Sequence, residues 1–301
     1  MMFQVVGLRD LFKMDSSVGL TSQQYIKEGF CEGTFSKADI VWEFRKICEN
    51  FLRNQFGRKC TLSEYHNYVT SEQQHRDLHY ELTQIIQESQ LHKQLTLQNL
   101  NHFQDIVGPD IDIQGVPYLR ISRPDVREDN IGLHRDTLYG NTAYEVSCIV
   151  PLEDFVEGAA VNVLPQSQKL GPLEFERLEH ETITKGSKQN QIGFLYATKE
   201  IKHLDRSKLY APLMKVGDYL MFSLCMIHGQ EKNTSGITRW SFDFRFRNSF
   251  SPLNENLKKN YYNKLVGGPA SMLADQYYAS NPSEVAEFTG AENCTGTGQT
   301  K

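Results

Sequence analysis

The 301-residue chain has no run of about twenty apolar residues, the length that a bilayer-crossing helix requires, so no part of it reads as a membrane span. A basic excess is missing too. Lys and Arg number 32 against 37 Asp and Glu, giving a net charge of −5 and an isoelectric point near 6.0, the opposite of the positive footprint of a dedicated nucleic-acid binder. The opening residues Met1 to Asp10 have neither the apolar core nor the cleavage site of a secretory leader. The six cysteines, at 31, 48, 60, 148, 225 and 294, form no Cys-x-x-Cys pair and no regular framework, which points to free thiols in a reducing compartment rather than disulfides or a zinc site. Together these absences give the expectation of a cytoplasmic protein. No internal repeat is apparent. What is present is an ordinary globular composition, 39% hydrophobic and 23% charged, sufficient for a sizeable core in a single unit spanning 1–301.

The texture changes twice along that unit. Residues 1–110 read as a helical part: Ile40, Val41, Phe44, Ile47, Cys48, Phe51 and Leu52 recur at three- and four-residue spacing. A second helix is expected over Ser71 to Ser89, with Leu78, Leu82, Ile85 and Ile86 on its apolar side and Ser71 as its cap. Residues 111–250 read as short strands, at Val116–Ile121, Tyr144–Val150, Val161–Leu164, Gln191–Tyr196, Tyr219–Ile227 and Thr238–Arg247. Helices followed by many short strands give an α+β class, a jelly-roll or barrel core flanked by helices drawn mainly from the N-terminal third. Residues 251–301 form an extension in which the pattern fades, with a mobile end expected.

Within the strand-rich part, Gly132-Leu133-His134-Arg135-Asp136 places an imidazole and a carboxylate two residues apart, on one face of an extended segment, with Arg135 pointing away. His-x-Asp by itself is a common tripeptide. His228, in Ile227-His228-Gly229, supplies a third donor, and two histidines with one carboxylate make the facial set that holds a non-haem Fe(II) and leaves three positions open. Between His228 and Arg239 the turn-rich Asn233-Thr234-Ser235-Gly236 suggests a hairpin. Pairing about that centre would set Arg239 across from His228, with Cα atoms about 4.5 to 5.5 Å apart. Arg239, with Ser241 beyond it on the same face, suits the far carboxylate of a dicarboxylate ligand, because a guanidinium offers two coplanar donors. From Trp240 to Phe246 the even positions are aromatic and the odd ones polar. In an ordinary sandwich the aromatic face would line the core and the polar face meet solvent. In a jelly-roll enzyme the aromatic face would instead pack on outer helices and the polar face line the site, the arrangement that His228 and Arg239 favour.

These residues resemble the phytanoyl-CoA dioxygenase-like branch of the Fe(II)/2-oxoglutarate-dependent oxygenases. The resemblance rests on His134-Arg135-Asp136, on Glu157-Gly158-Ala159-Ala160 running through Val163-Leu164-Pro165-Gln166-Ser167-Gln168-Lys169, and on Val216-Gly217-Asp218 leading to His228-Gly229 and Arg239. It covers roughly residues 111–250. In that family the middle element usually reads Asn-Gly, a strand, then Pro-Gly-Ser-His; here the end is Pro165-Gln166-Ser167-Gln168. The resemblance implies a double-stranded β-helix of the jelly-roll or cupin type, with His134, Asp136 and His228 as iron ligands. It implies 2-oxoglutarate chelating the iron with its far carboxylate on Arg239 and Ser241, O2 as co-oxidant, and hydroxylation coupled to release of succinate and CO2. Related halogenases carry a small residue in place of the carboxylate, so the retained Asp136 disfavours halogenation. Desaturation and epoxidation share the same ligand set, and a non-catalytic cupin-like ligand-binding protein is the alternative from another class.

Further residues are weighed beside this set. Tyr118 and Arg120 alternate on one strand and are further candidates for cosubstrate binding. His75 and His79 lie four apart on the expected helix but lack the glutamate of His-Glu-x-x-His, and read as solvated surface. His66, His92, His102, His180 and His203 read as surface or structural, and Asp243 as the partner of a neighbouring arginine. Arg120, Arg123, Arg127 and Arg135, with Lys199, Lys202, Arg206, Lys208 and Lys215, either attract an anionic substrate or form solvated loops interspersed with Glu200 and Asp205. The expected substrate is a small polar or anionic metabolite, such as a biosynthetic or carbohydrate-pathway intermediate.

Overall fold

The computed structural model describes residues 20–171, 175–177, 183–194, 199–201, 204–254 and 258–281. Helix α1 (Leu20–Glu28) leads into β1 (Phe30–Thr34), and α2 (Asp39–Phe56) buries Ile40, Val41, Phe44, Cys48, Phe51 and Leu52. Helix α3 (Glu72–Ser89) starts where Ser71 accepts a hydrogen bond from the Gln74 amide at 3.2 Å, the N-cap that its sequence signals. Short helices α4 (Leu91–Gln98) and α5 (Leu100–Val107) follow. Strands β2 (Ile111–Gln114), β3 (Tyr118–Ser122), β4 (Glu145–Pro151), β5 (Asn162–Val163) and β6 (Phe175–Arg177) then lead to the single turn α6 (Lys188–Gln191). The rest comprises β7 (Lys199–Ile201), β8 (Asp218–Ser223), β9 (His228–Gly229), β10 (Arg239–Asn248), β11 (Tyr262–Val266) and α7 (Pro269–Ser280).

Seven strands form one antiparallel sheet in the order β1-β8-β4-β10-β2-β11, with β3 also paired to β10. Its outer face carries Trp240, Phe242, Phe244 and Phe246, each 0% exposed and packed in one cluster with the helices: the Phe44 ring lies 4.1 Å from that of Phe242, and Phe103 5.0 Å from Phe246. Burying aromatic rings of this size is the largest local apolar contribution a strand can make. Opposite the other face, short ladders join β7 to Leu133, His134 to His228, β9 to β5, and β5 to Tyr210. A large antiparallel sheet facing a smaller one, with helices behind the larger, is the expected double-stranded β-helix.

Four local expectations are corrected. Gln191–Tyr196 is not a strand where described: Lys188–Gln191 is helical, capped by Ser187, and the chain then turns through Gly193 at φ +91°. The β9–β10 segment is not a hairpin. Asn233 is fully buried, its side-chain amide donating to the Ser122 and Ile237 carbonyls, so the loop is tied to the end of β3. Arg239 is therefore opposite Ser122, and His228 opposite His134 and Val163. His75 and His79 are 3% and 2% exposed rather than solvated, because α3 packs across β3. His79 Nε2 meets the Leu119 carbonyl at 3.0 Å, and His75 lies 3.1 Å from the Tyr65 hydroxyl and 3.4 Å from Asp129. Beyond Ser251, where the pattern fades, β11 and the twelve-residue α7 are nevertheless formed. His180, His203, Lys202, Cys294 and the tail fall outside the described residues, as do the side chains of Lys199 and Glu200.

Candidate metal centre and cosubstrate pocket

The cavity between the two sheets is lined by both histidines, by Asp136, and by the polar face of β10: Arg239, Ser241, Asp243 and Arg245. His134 and His228 are directly opposed, each backbone amide donating to the other's carbonyl at 2.9 and 3.0 Å, which brings their rings to 4.4 Å. Arg135 is extended, so Asp136, opening a 3-10 turn, stays on the His134 side. One donor atom from each of His134, Asp136 and His228 lies within 4.8 Å of the others, and all three residues are buried. Gly229, next to His228, has φ +145°, and a Cβ there would sit 2.4 Å from the Gly132 carbonyl oxygen, so glycine permits the close approach of the two histidine-bearing segments.

Hydrogen bonding fits these residues to a metal ion. His134 Nδ1 lies 2.7 Å from the Gly132 carbonyl and His228 Nδ1 3.1 Å from that of Met226, so each ring donates from Nδ1 and presents the Nε2 lone pair. His134 Nε2 then faces Asp136 Oδ1 at 3.3 Å, two acceptors confronting one another in a buried site. A cation between them removes that conflict. Burial alone would raise the Asp136 carboxyl, but the Arg245 guanidinium beside it holds it well below the usual carboxylate range. Burial, reinforced by His134, pushes His228 down to about 3 and keeps its imidazole neutral, the form that ligates.

Arg239 is 5% exposed, its Nη1 donating to Gln230 Oε1 and to the Ala159 carbonyl at 3.2 Å, while Nε has no partner. Gln230 is itself oriented by donation to the Gly158 carbonyl at 3.0 Å. No carboxylate among the described residues pairs with Arg239. Burial, with Arg120 nearby, pushes its guanidinium down to about 10. Ser241 lies on the same face, 1% exposed. Arg120 is differently placed: Asp243 takes its Nε at 2.6 Å and Nη2 at 3.4 Å, and Nη1 donates to the Gly193 carbonyl. Its paired donors are thus already occupied, and Tyr118 lies beneath the guanidinium, 5.3 Å from ring centre to Cζ. Arg123 is likewise committed inside the fold, to Asp129 and Glu72.

The parts played by three residues of the site escaped the reading of the sequence, in which Arg245 was only a further candidate for holding the cosubstrate. Arg245 shares the odd-numbered alternation of Arg239, so the strand pattern already aimed it inward. Gln230 carried no local signal. Ser167 sits in Pro165-Gln166-Ser167-Gln168, and its hydroxyl accepts from the Ile227 amide at 2.8 Å, fixing the approach to His228. Gln166, where the resemblance has glycine, adopts φ +62°, so the turn survives the substitution with a strained residue.

A family model described as phytanoyl-CoA dioxygenase (PhyH) matches residues 64–241, more than half of the chain. Among solved structures, the apo form of the non-haem monooxygenase ThoJ aligns at 14% identity over 82% of this chain and 84% of its own, with a TM-score of 0.53. EctD from S. alaskensis aligns at 13% identity over 82% of each chain with a TM-score of 0.48. The 2-oxoglutarate-dependent carbocyclase SnoK of nogalamycin biosynthesis aligns at 13% over 76% of this chain and 83% of its own, with a TM-score of 0.44. No curated protein matches.

Proposed function

Because the chain belongs to the phytanoyl-CoA dioxygenase family, it is an Fe(II)- and 2-oxoglutarate-dependent oxygenase, and we propose that it hydroxylates a small polar metabolite with His134, Asp136 and His228 as its iron ligands. When bound, iron and 2-oxoglutarate supply oxidising power from O2, coupled to decarboxylation of the cosubstrate to succinate. The chain's own part is to bind, orient and exclude water. The observation that carries the reading is Arg239, a buried guanidinium without a carboxylate partner among the described residues, facing the cavity that holds the three donors. A buried cation needs a counter-charge, and the far carboxylate of 2-oxoglutarate provides one, with Ser241 beside it on the same strand face. In this reading Arg120 is part of the cavity wall, its fork taken by Asp243, and Tyr118 packs against its guanidinium. Ile149, Val161 and Phe222 make the apolar lining that keeps water from the donors.

A polar substrate is favoured by the polar lining of the cavity, where Asn130, held by Ser122 and the Val126 carbonyl, and Gln230, held by Arg239 and the Gly158 carbonyl, stand beside Ser147 and Ser241. Steering of an anion finds less support, because Arg206 and Lys208 are already paired with Glu231 and Asp205. The test is a panel of neutral polar and anionic small molecules incubated with Fe(II), 2-oxoglutarate and O2, scored by substrate-dependent succinate. A hydroxylated product with stoichiometric succinate supports the reading. Tight binding of a panel member with no succinate above background would instead favour the non-catalytic binding protein, and an unsaturated or epoxide product would move the chemistry to the sister reactions of the same site.

A further inference from the structure

The proposed ligand set leaves unexplained why a second arginine, Arg245, is aimed at Asp136. Its Nη2 donates to Asp136 Oδ2 at 2.7 Å, on the side of the carboxylate away from His134, while Oδ1 is the oxygen facing His134 Nε2 at 3.3 Å. Nη1 donates to the Tyr261 hydroxyl at 2.9 Å and lies 3.4 Å from Asn141 Oδ1, and Asn141 in turn donates to the Asp136 backbone carbonyl at 2.8 Å. Tyr261 is itself fixed, its carbonyl accepting from the Gly115 amide at 2.8 Å and the Lys258 ammonium lying 3.8 Å from its ring centre. Both Arg245 and Tyr261 fall beyond residue 241, where the family match ends.

We infer that Arg245 is a positioning residue that ties up one oxygen of Asp136 and so presents the carboxylate to the metal through Oδ1 alone, with Tyr261 of the C-terminal segment bracing the arginine. The inference rests on the triad being the metal site. Its chemical logic is a count of positions: a carboxylate free to rotate can bind through both oxygens, and the second would consume one of three positions that a chelating cosubstrate and O2 require. The planar guanidinium reaches Asp136 through Nη2 and Tyr261 through Nη1 at a fixed spacing, whereas lysine would have to serve both acceptors from a single ammonium nitrogen on a flexible stem. The Arg245 Nε has no partner among the described residues, so the guanidinium is held by its Nη contacts. The segment carrying Tyr261 is therefore part of the metal centre's support.

The test is calorimetric titration of the full chain with Mn(II), alongside the melting temperature of the metal-free protein. Arg245→Lys is expected to weaken Mn(II) binding about ten- to a hundred-fold, the usual consequence of losing a group that orients a metal ligand, and Tyr261→Phe a few-fold. Arg245→Met strands a buried carboxylate and is expected to melt early, so the two milder variants carry the decision. Tyr262→Phe is the control: its hydroxyl bonds Glu145 rather than Arg245, so it should lower the melting temperature without changing Mn(II) affinity. Wild-type affinity in both Arg245→Lys and Tyr261→Phe, or equal weakening by Tyr262→Phe and Tyr261→Phe, overturns the inference. His134→Ala separates the two levels: if it binds Mn(II) as well as wild type, the triad is not the metal site and both readings fall. If it alone loses the metal, only the role of Arg245 falls.

Discussion

The even-numbered residues of β10, Trp240, Phe242, Phe244 and Phe246, are each 0% exposed, while on the opposite face Arg239, Ser241 and Asp243 are 5, 1 and 9% exposed. Solvent exclusion alone does not distinguish the two faces; the way each face is satisfied does. The aromatic rings need only neighbours, and α2 and α5 supply them. The polar face needs partners, and the protein supplies them unevenly: Asp243 has Arg120, Arg245 has Asp136, and Arg239 has amide and carbonyl oxygens but no anion among the described residues. A core face is complete in the folded chain. A site face is complete only with its ligands.

The sharpest way to break this comparison is at the donors. His134→Ala, Asp136→Ala and His228→Ala should each abolish turnover and lower divalent-metal affinity beyond detection by calorimetry, while the buried His75→Ala and His79→Ala should lower the melting temperature and leave metal affinity near wild type. Metal binding that survives His134→Ala but not His75→Ala would move the centre to α3. On the other face, Phe244→Ala should cost about 3 to 5 kcal/mol of unfolding free energy in a denaturant titration, with 2-oxoglutarate affinity of the folded protein unchanged. A loss of cosubstrate affinity with little loss of stability would mean that the two faces are not separable.

Acidification probes the buried histidines. Burial pushes His75 and His79 down to about 3 and His92 to about 4, from an ordinary 6.5. A histidine whose folded value is depressed binds fewer protons folded than unfolded, so its contribution to stability is complete above about 6.5 and is lost as pH falls toward the folded values. The melting temperature of the metal-free protein should fall steadily between pH 6.5 and 4.5; a flat profile there would show that these rings accept protons within the fold. The smallest effect is expected at the surface, where Arg206→Gln with Lys208→Gln removes two exposed, paired cations and should change substrate KM by less than about two-fold at physiological salt. A large rise in KM confined to anionic substrates would restore the steering role of that segment.

Much of this was legible in the chain. The three- and four-residue spacing in α2, the Ser71 cap and the two-residue alternation of β10 are local signals, and each is present in the fold. His134 and Asp136 were readable as neighbours because one extended residue separates them. The register between His228 and Arg239 was not, because it is decided by Asn233, a turn-forming residue that is buried against β3 and holds the loop away from a hairpin. His75 and His79 looked solvated because periodicity counts polarity and does not see that Leu119, Tyr65 and Asp129 offer them partners. The partner of Arg245 lies 109 residues away, and such pairings leave no local trace.

The central claim, that Arg239 is a buried cation awaiting the far carboxylate of 2-oxoglutarate, is tested most directly by anaerobic titration of the Fe(II)-loaded protein with 2-oxoglutarate, following the visible metal-to-ligand charge-transfer band. Wild type should develop the band and saturate. Arg239→Lys keeps the charge but loses the planar pair of donors, a change worth about 1.5 to 3 kcal/mol for hydrogen bonds to a charged group, and should need roughly ten- to a hundred-fold more 2-oxoglutarate while binding iron as wild type does. An identical titration curve for Arg239→Lys would contradict the account and leave the buried guanidinium without the anion assigned to it.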